Sequence, residues 1–162
     1  MKSNQKTYVR SLCTAGLIAA LYVALTLISA ALGLHSGAIQ LRLSEALCVL
    51  PLFTPAAIPG LAVGCLLANA LTGSLLPDVL LGSLATLIGA VGTRLLRRLP
   101  WPVALVPPIL ANALIVPAVL ITFYGLEGTY GFFFLTVGAG ELISVGLFGT
   151  LLYTALRKRN VW

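Results

Sequence analysis

Residues 39–69 read IQLRLSEALCVLPLFTPAAIPGLAVGCLLAN, and two charged side chains stand alone in this apolar stretch. Arg42 and Glu45 are the only formally charged residues between Arg10 and Asp78. On a helix, a spacing of three residues places both on one face. In hydrocarbon an isolated ion is costly, so such a pair neutralises itself, faces a water-filled cavity, or lies at the membrane surface.

Three prolines follow at four-residue intervals, at positions 51, 55 and 59. Each proline removes a backbone donor and disfavours helix at the residue before it. We therefore expect a short or broken helix, which a membrane tolerates where the break is buried in protein or lines a cavity. Segments 43–54 and 56–72 are each short for a span. By length alone they form one bent helix, two tilted helices or a re-entrant hairpin.

The composition excludes an ordinary soluble domain. Of 162 residues, 59% are hydrophobic and 9% are charged, whereas soluble domains carry about 25% charged residues. The mean hydropathy is +1.05. Stretches such as 11–33 and 103–123 are apolar on every side, which is typical of membrane spans. We expect one all-α membrane domain over residues 1–162.

The basic residues indicate the topology. Nine of the ten lie in three clusters, within 2–10, 94–98 and 157–159, and such clusters flank spans on the cytoplasmic side. An even number of crossings must then separate the clusters, which requires two crossings within 43–72. We predict cytoplasmic N and C termini and six transmembrane helices, at about 8–32, 43–54, 56–72, 78–98, 103–124 and 132–156. The net charge of +6 therefore reflects topology and not nucleic-acid binding.

The N-terminal stretch has two further features. Its basic start and the small residues near Ala30 resemble a signal peptide. Its apolar run, however, is longer than the apolar region of a signal peptide, which has about 7–15 residues. We therefore expect a retained first span. Small residues recur along it, and they allow close approach of another helix of the chain or of a separate protein. These residues are Ala15, Gly16, Ala19 and Ala20.

The sequence carries no motif for metal binding or catalysis. Cys13, Cys48 and Cys65 fall in apolar segments without CxxC spacing, so we expect them to pack as small apolar residues. His35 lies in the predicted outer loop with no second metal-type residue near it. A Walker loop, HExxH and GxSxG are all missing from the sequence. We therefore expect neither an enzyme nor an ATP-binding subunit.

Three polar residues in the predicted spans are candidates for binding. Glu141 lies about two turns inside the last span, and intramembrane acids are functional candidates by default. Its alternative role is a salt bridge to Arg42. Asn112 lies at mid-depth near the carbonyl that Pro117 leaves without a partner, and it either joins two helices or binds a ligand. Asp78 is either an N-cap or a ligand contact.

Short motifs occur in a fixed order along the chain: AALYVALTL at 19–27, RxSEA at 42–46, PxAIPG at 55–60, GCxLAN at 64–69 and GSLAT at 82–86. Together they resemble the QueT family, the queuosine-precursor-binding membrane subunits, or S-components, of energy-coupling factor (ECF) transporters. The resemblance extends over nearly the whole chain. It implies an S-component-like bundle in a bacterial plasma membrane, with an outer pocket capped by the loop between the first two helices.

The resemblance also implies partners. S-components dock on a transmembrane coupling subunit through small residues of the first helix, here Ala15, Gly16, Ala19 and Ala20. Two ATPase subunits hydrolyse ATP, so this chain itself binds no cofactor. The S-component is thought to topple in the bilayer and carry its pocket to the cytoplasm.

The implied ligand is a 7-deazaguanine base, either the 7-cyano form, the 7-aminomethyl form or queuine. A carboxylate accepts the adjacent N–H and amino groups of the guanine edge in bidentate fashion, and we assign this role to Glu141. Asn112 then contacts a carbonyl or ring nitrogen. Arg42 and Glu45 form a pair that shapes the cap, and Glu45 or Asp78 would neutralise an ammonium. The other predicted contacts are Asn69 and a stacking ring, Tyr124 or Phe132.

Two other functions remain open at this stage. A small proton-coupled carrier would act through Glu141, although neither half of the sequence repeats the other as in many such carriers. A membrane assembly protein would use its polar residues only to join helices.

Overall fold

The computed structural model describes residues 2–34 and 41–158 of the chain. Every regular element in these two ranges is helical, which confirms the prediction of an all-α protein. The elements are α1 (Lys2–Ala31), a 3-10 helix (Leu43–Leu52), α2 (Ala57–Leu71), α3 (Leu76–Leu95), α4 (Trp101–Ala104), α5 (Val106–Thr122), α6 (Tyr130–Glu141), a π-helical segment (Leu142–Phe148) and α7 (Gly149–Lys158).

Four helical stretches are long and apolar enough to cross a membrane. They have 20 to 29 residues each, and about 20 suffice for the hydrocarbon core. One combines α4 with α5, and another combines α6, the π segment and α7. The four are Gln5–Ala31, Leu76–Leu95, Trp101–Thr122 and Tyr130–Lys158.

The two remaining helices coincide with the stretch that has three prolines. The 3-10 helix has 10 residues and α2 has 15. At about 2.0 Å per residue the first covers about 20 Å, and at 1.5 Å per residue the second covers about 22 Å. Both fall short of a hydrocarbon core of about 30 Å. Six complete crossings therefore stay a prediction.

Close backbone contact joins α1 to α2. A Cβ atom added at Gly60 would lie 2.7 Å from the carbonyl oxygen of Ala15, and one added at Gly64 would lie 3.0 Å from the Cα of Ala19. Glycines four residues apart let two membrane helices approach this closely. The two helices therefore pack along their small residues.

Glycines also allow close contact between α3 and the start of α5. A Cβ at Gly89 would lie 2.6 Å from the Cα of Pro108, and one at Gly92 would lie 2.5 Å from the Cβ of Pro107. This contact fixes the depth of α5 beside α3, and with it the depth of Asn112.

One end of the bundle carries most of the basic residues. Arg94 near the end of α3 donates to the carbonyl of Pro51 at the end of the 3-10 helix, at 3.0 Å. The Tyr153 ring of α7 packs on Phe53 and Trp101, with centroid distances of 5.5 and 5.0 Å. The ends of α3 and α7 are thus neighbours, and the middle of α1, at Ala15, lies beside the start of α2, at Gly60. We call this the basic end.

The opposite end carries Glu45, Asp78 and Glu141 together with Arg42. The backbone N–H of Leu75, before α3, donates to the Tyr124 hydroxyl after α5 at 3.2 Å. Arg42 reaches Asn69 in α2. We call this the polar end, and the candidate site lies just inside it.

Candidate functional site

A small cavity near the polar end is lined by three polar side chains from separate parts of the chain. Arg42 directly precedes the 3-10 helix, Asn112 belongs to α5 and Glu141 is at the end of α6. Val116 and Val137 form its apolar walls. Its volume is about 10 Å³, which is room for about one water molecule and far below the range of about 300–1,000 Å³ usual for ligand pockets. The structure therefore brings together the first three of the predicted contacts.

Glu141 offers this cavity a free acceptor. The residue is only 8% exposed, and its Oε2 atom is buried without a hydrogen-bond partner among the described residues. Asn112, whose Nδ2 atom donates to the carbonyl of Pro108 at 3.3 Å, lines the same cavity. An unpartnered buried polar atom costs about 1–3 kcal/mol. A ligand that donates to Oε2 would recover that free energy.

Glu141 also marks a change of helix type. It is the last residue of α6, and the π segment begins at Leu142. Single π turns inside α-helices are frequent at functional sites. In this segment the Ser144 hydroxyl accepts a hydrogen bond from the backbone N–H of Arg42 at 3.3 Å. The same part of the last span thus positions both charged groups of the cavity.

Arg42 and Glu45 have separate partners. The Arg42 guanidinium donates to Oδ1 of Asn69 at 3.4 Å, whereas the Glu45 carboxyl accepts from the Tyr22 hydroxyl and from the Cys48 thiol. The predicted Arg42–Glu45 pair is therefore wrong. Arg42 precedes the helix in extended backbone, with φ −115° and ψ 105°, so the shared face expected for a three-residue spacing does not form. The alternative salt bridge from Arg42 to Glu141 is not formed either within the described part of the chain.

A family comparison covers almost the whole chain. The family model of the QueT transporter matches residues 12–158, a range that includes the entire cavity. The chain belongs to the QueT transporter family. No curated protein and no solved structure matches it. This membership confirms the resemblance found in the motifs. The chain is thus a member of a transporter family, and its helices are apolar.

The QueT-family chain holds a second polar cluster beside Arg42. The Tyr124 hydroxyl donates to Oδ2 of Asp78 at 3.1 Å. A Cβ at Gly82 would lie 3.0 Å from Nδ2 of Asn69 and 3.5 Å from Oδ1 of Asp78, so this glycine makes room for both side chains. Asn69, Asp78 and Tyr124 are thus neighbours, but they do not line the cavity.

Asp78 is not an N-cap. The residue in that position of α3 is Leu75, and no side chain caps the helix. Asp78 lies inside the first turn, where its carboxylate still interacts favourably with the helix dipole. Its hydrogen bond to Tyr124 replaces the predicted cap.

Glu45 faces the interior of the bundle and not the cavity. It is 1% exposed, and so is its partner Tyr22. In α1 the residues Tyr22, Thr26 and Ser29 follow at spacings of four and three, which is one helix face. The Thr26 hydroxyl donates to the Ser44 hydroxyl at 2.8 Å.

This polar face of α1 also anchors the chain next to the cavity. The Ser29 hydroxyl accepts from the backbone N–H of Leu43 at 3.0 Å. The hydrogen bonds from α1 therefore fix the start of the 3-10 helix, where Arg42 lies. The sequence analysis missed this QueT-family element, although the spacing of residues 22, 26 and 29 could have revealed it.

The predicted docking residues of α1 divide between two faces. Ala15 and Ala19 contact α2. Gly16 and Ala20 are exposed, and a Cβ at Gly16 would meet no described atom within 4 Å. Ala15 and Ala19 thus pack against another helix of the same chain. Of the four residues, only Gly16 and Ala20 remain accessible to a separate protein.

The two candidate stacking rings lie outside the cavity lining. Phe132 is 52% exposed and packs edge-on against Phe133, and Tyr124 is 38% exposed. Most of the predicted cap loop, with His35, falls in residues 35–40, outside the described residues.

Proposed function

We propose that this chain is the substrate-binding subunit, or S-component, of an ATP-driven ECF transporter, and that it imports a queuosine precursor. The ligand is a 7-deazaguanine base, in the 7-cyano or 7-aminomethyl form or as queuine. The observation that carries the proposal is the convergence of Arg42, Asn112 and Glu141 on one cavity near the polar end. Membership of a transporter family supports it.

The chemistry of the cavity suits such a base. The guanine edge presents an N–H and an amino group side by side, and a carboxylate accepts both. Glu141 has a free oxygen for this role. Asn112 supplies both a donor and an acceptor, and Val116 and Val137 offer apolar surface to the faces of the ring.

Binding requires the cavity to widen. Its volume of about 10 Å³ is far below about 300 Å³, the lower end of the usual range for ligand pockets. Arg42 is the lining residue best able to move, because its guanidinium is held by one contact of 3.4 Å, to Asn69. The guanidinium carries five N–H donors, so a shift of this side chain that widens the cavity can keep the bond to Asn69 and add one to the base.

We place the cavity near the outer face of a bacterial plasma membrane, with six spans and cytoplasmic termini. The gathering of the basic clusters at one end supports this orientation, because such clusters flank spans on the cytoplasmic side. Gly16 and Ala20 then face a transmembrane coupling subunit, which two ATPase subunits drive. The S-component topples after docking and delivers the base inside.

Ligand binding and vesicle uptake test this function together. We expect the purified chain to bind a 7-deazaguanine with a dissociation constant well below micromolar in titration calorimetry. Vesicles that contain this chain, the coupling subunit and both ATPases should accumulate the base only with ATP. Uptake by the chain alone along a proton gradient would instead establish a proton-coupled carrier. Failure to bind any of the three bases would favour an assembly protein.

A further inference from the structure

Three arginines line an open pocket at the basic end, far from the ligand cavity. Arg94, Arg97 and Arg98 surround it together with Leu95, and its volume is about 360 Å³. Arg94 lies in the last turn of α3, and Arg97 and Arg98 follow in the turn directly after it. None of the chain's four acidic residues lines this pocket in the described part of the chain.

The three positive charges of this pocket repel one another. The charge of Arg97 acts unfavourably on Arg94. Glu45, Asp78 and Glu141 lie towards the polar end, so they cannot neutralise this cluster. An anion from outside the chain would relieve the repulsion.

The pocket also has a fixed donor and an apolar neighbour. Arg94 is half-buried, and its Nη1 atom donates to the carbonyls of Pro51 and Leu52 at 3.0 and 3.4 Å. The guanidinium is thus held in place while its other N–H groups remain available. Leu95, between the arginines, is 76% exposed. Fixed guanidinium groups bind phosphate oxygens in bidentate fashion.

We propose that the pocket of Arg94, Arg97 and Arg98 binds a phosphate group, supplied by the headgroup of an anionic phospholipid in the leaflet at the basic end. Basic pockets at the cytoplasmic side of membrane helices suit such headgroups. The exposed Leu95 would contact the acyl chain next to the phosphate. The site is separate from the deazaguanine cavity and does not depend on the proposed transport function.

Native mass spectrometry of the detergent-purified chain, titrated with phosphatidylglycerol or phosphatidylcholine, tests this proposal. We expect saturable binding of phosphatidylglycerol at least tenfold tighter than that of phosphatidylcholine. The double variant Arg97→Gln, Arg98→Gln should lose this preference. The matched control Arg157→Gln, Lys158→Gln removes the same charge from the last turn of α7 and should keep it. Circular dichroism should show that both variants stay folded.

Competition by soluble glycerol phosphate separates the two sources of phosphate. Strong competition would show that the phosphate alone suffices, and weak competition would show that the lipid chains contribute. Both results support a phosphate site if the double variant Arg97→Gln, Arg98→Gln loses the preferential binding of phosphatidylglycerol. Equal affinity for the two lipids, or equal loss in the two double variants, would overturn the proposal.

Discussion

Arg42 and Glu45 are three residues apart in the chain, yet their side chains bind to different helices. Arg42 donates to Asn69 of α2 at 3.4 Å, and Glu45 accepts from Tyr22 of α1. Glu45 thus links the 3-10 helix to α1, whereas Arg42 lines the cavity. Their substitution should therefore affect different properties, stability for one and ligand binding for the other.

The Tyr22 hydroxyl should contribute measurably to stability. Tyr22→Phe leaves the ring in place and removes the donor to the buried Glu45 carboxyl. We expect a loss of about 1–2 kcal/mol in the free energy of unfolding, the range for one buried hydrogen bond between membrane helices. Denaturation in detergent measures it. Tyr8→Phe, at a ring that is 71% exposed, is the control, and equal midpoints for the two variants would contradict the role of the bond.

Gly64 should not tolerate a methyl group. In Gly64→Ala the new Cβ would lie 2.8 Å from the Cβ of Tyr22 and 3.0 Å from the Cα of Ala19, so α1 must move. Overpacking of this kind costs about 1–3 kcal/mol. Gly16→Ala meets no described atom within 4 Å and should be neutral or stabilising because alanine favours helix. Thermal unfolding of both variants decides this, and a Gly64→Ala protein as stable as wild type would refute close packing.

Asn69 should help to position Arg42 for the ligand. In Asn69→Ala the guanidinium loses its acceptor at 3.4 Å, and we expect about fivefold weaker deazaguanine binding, which corresponds to about 1 kcal/mol for one hydrogen bond. Tyr124→Phe keeps its ring but breaks the bond to Asp78, and it should change the affinity less than twofold. Calorimetric titration of both variants is the measurement. Equal effects in the two would show that Asn69 has no special role.

The exposed small face of α1 should matter for assembly and not for binding. Ala20→Leu adds bulk at an exposed position of α1, so we expect normal deazaguanine affinity but at least tenfold less co-purified coupling subunit. Ala118→Leu makes the same change at an exposed position of α5 and should leave assembly intact. If Ala20→Leu assembles as well as Ala118→Leu, the docking face lies elsewhere.

Much of the fold and part of the site could be predicted from the sequence. The uninterrupted apolar stretches predict helices, and the polar groups of Glu141 and Asn112 within them are candidates for binding. That both contact one ligand is implied by the family resemblance. The three-residue spacing of Arg42 and Glu45 wrongly predicted an ion pair on one helix face, because Arg42 lies in extended backbone before the 3-10 helix. Local spacing could not reveal this, since contacts with Ser144 and Asn69, distant in the chain, fix Arg42.

The small residues of α1 show a similar limit. Ala15, Gly16, Ala19 and Ala20 form one stripe by composition, but the partner of each depends on how α1 is rotated. Ala15 packs against Gly60 of α2, and Ala19 packs against Gly64. Which small residues contact α2 is therefore determined by tertiary packing.

The binding of a 7-deazaguanine to Glu141→Gln tests the central claim most directly. The change keeps the shape of the side chain but removes the charge that accepts the guanine edge, so we expect an affinity loss of about 1.5–3 kcal/mol, or about 10- to 150-fold. Glu127→Gln, in the exposed loop after α5, is the matched control and should bind like wild type. An affinity of Glu141→Gln within twofold of wild type would contradict the assignment of this cavity as the ligand site.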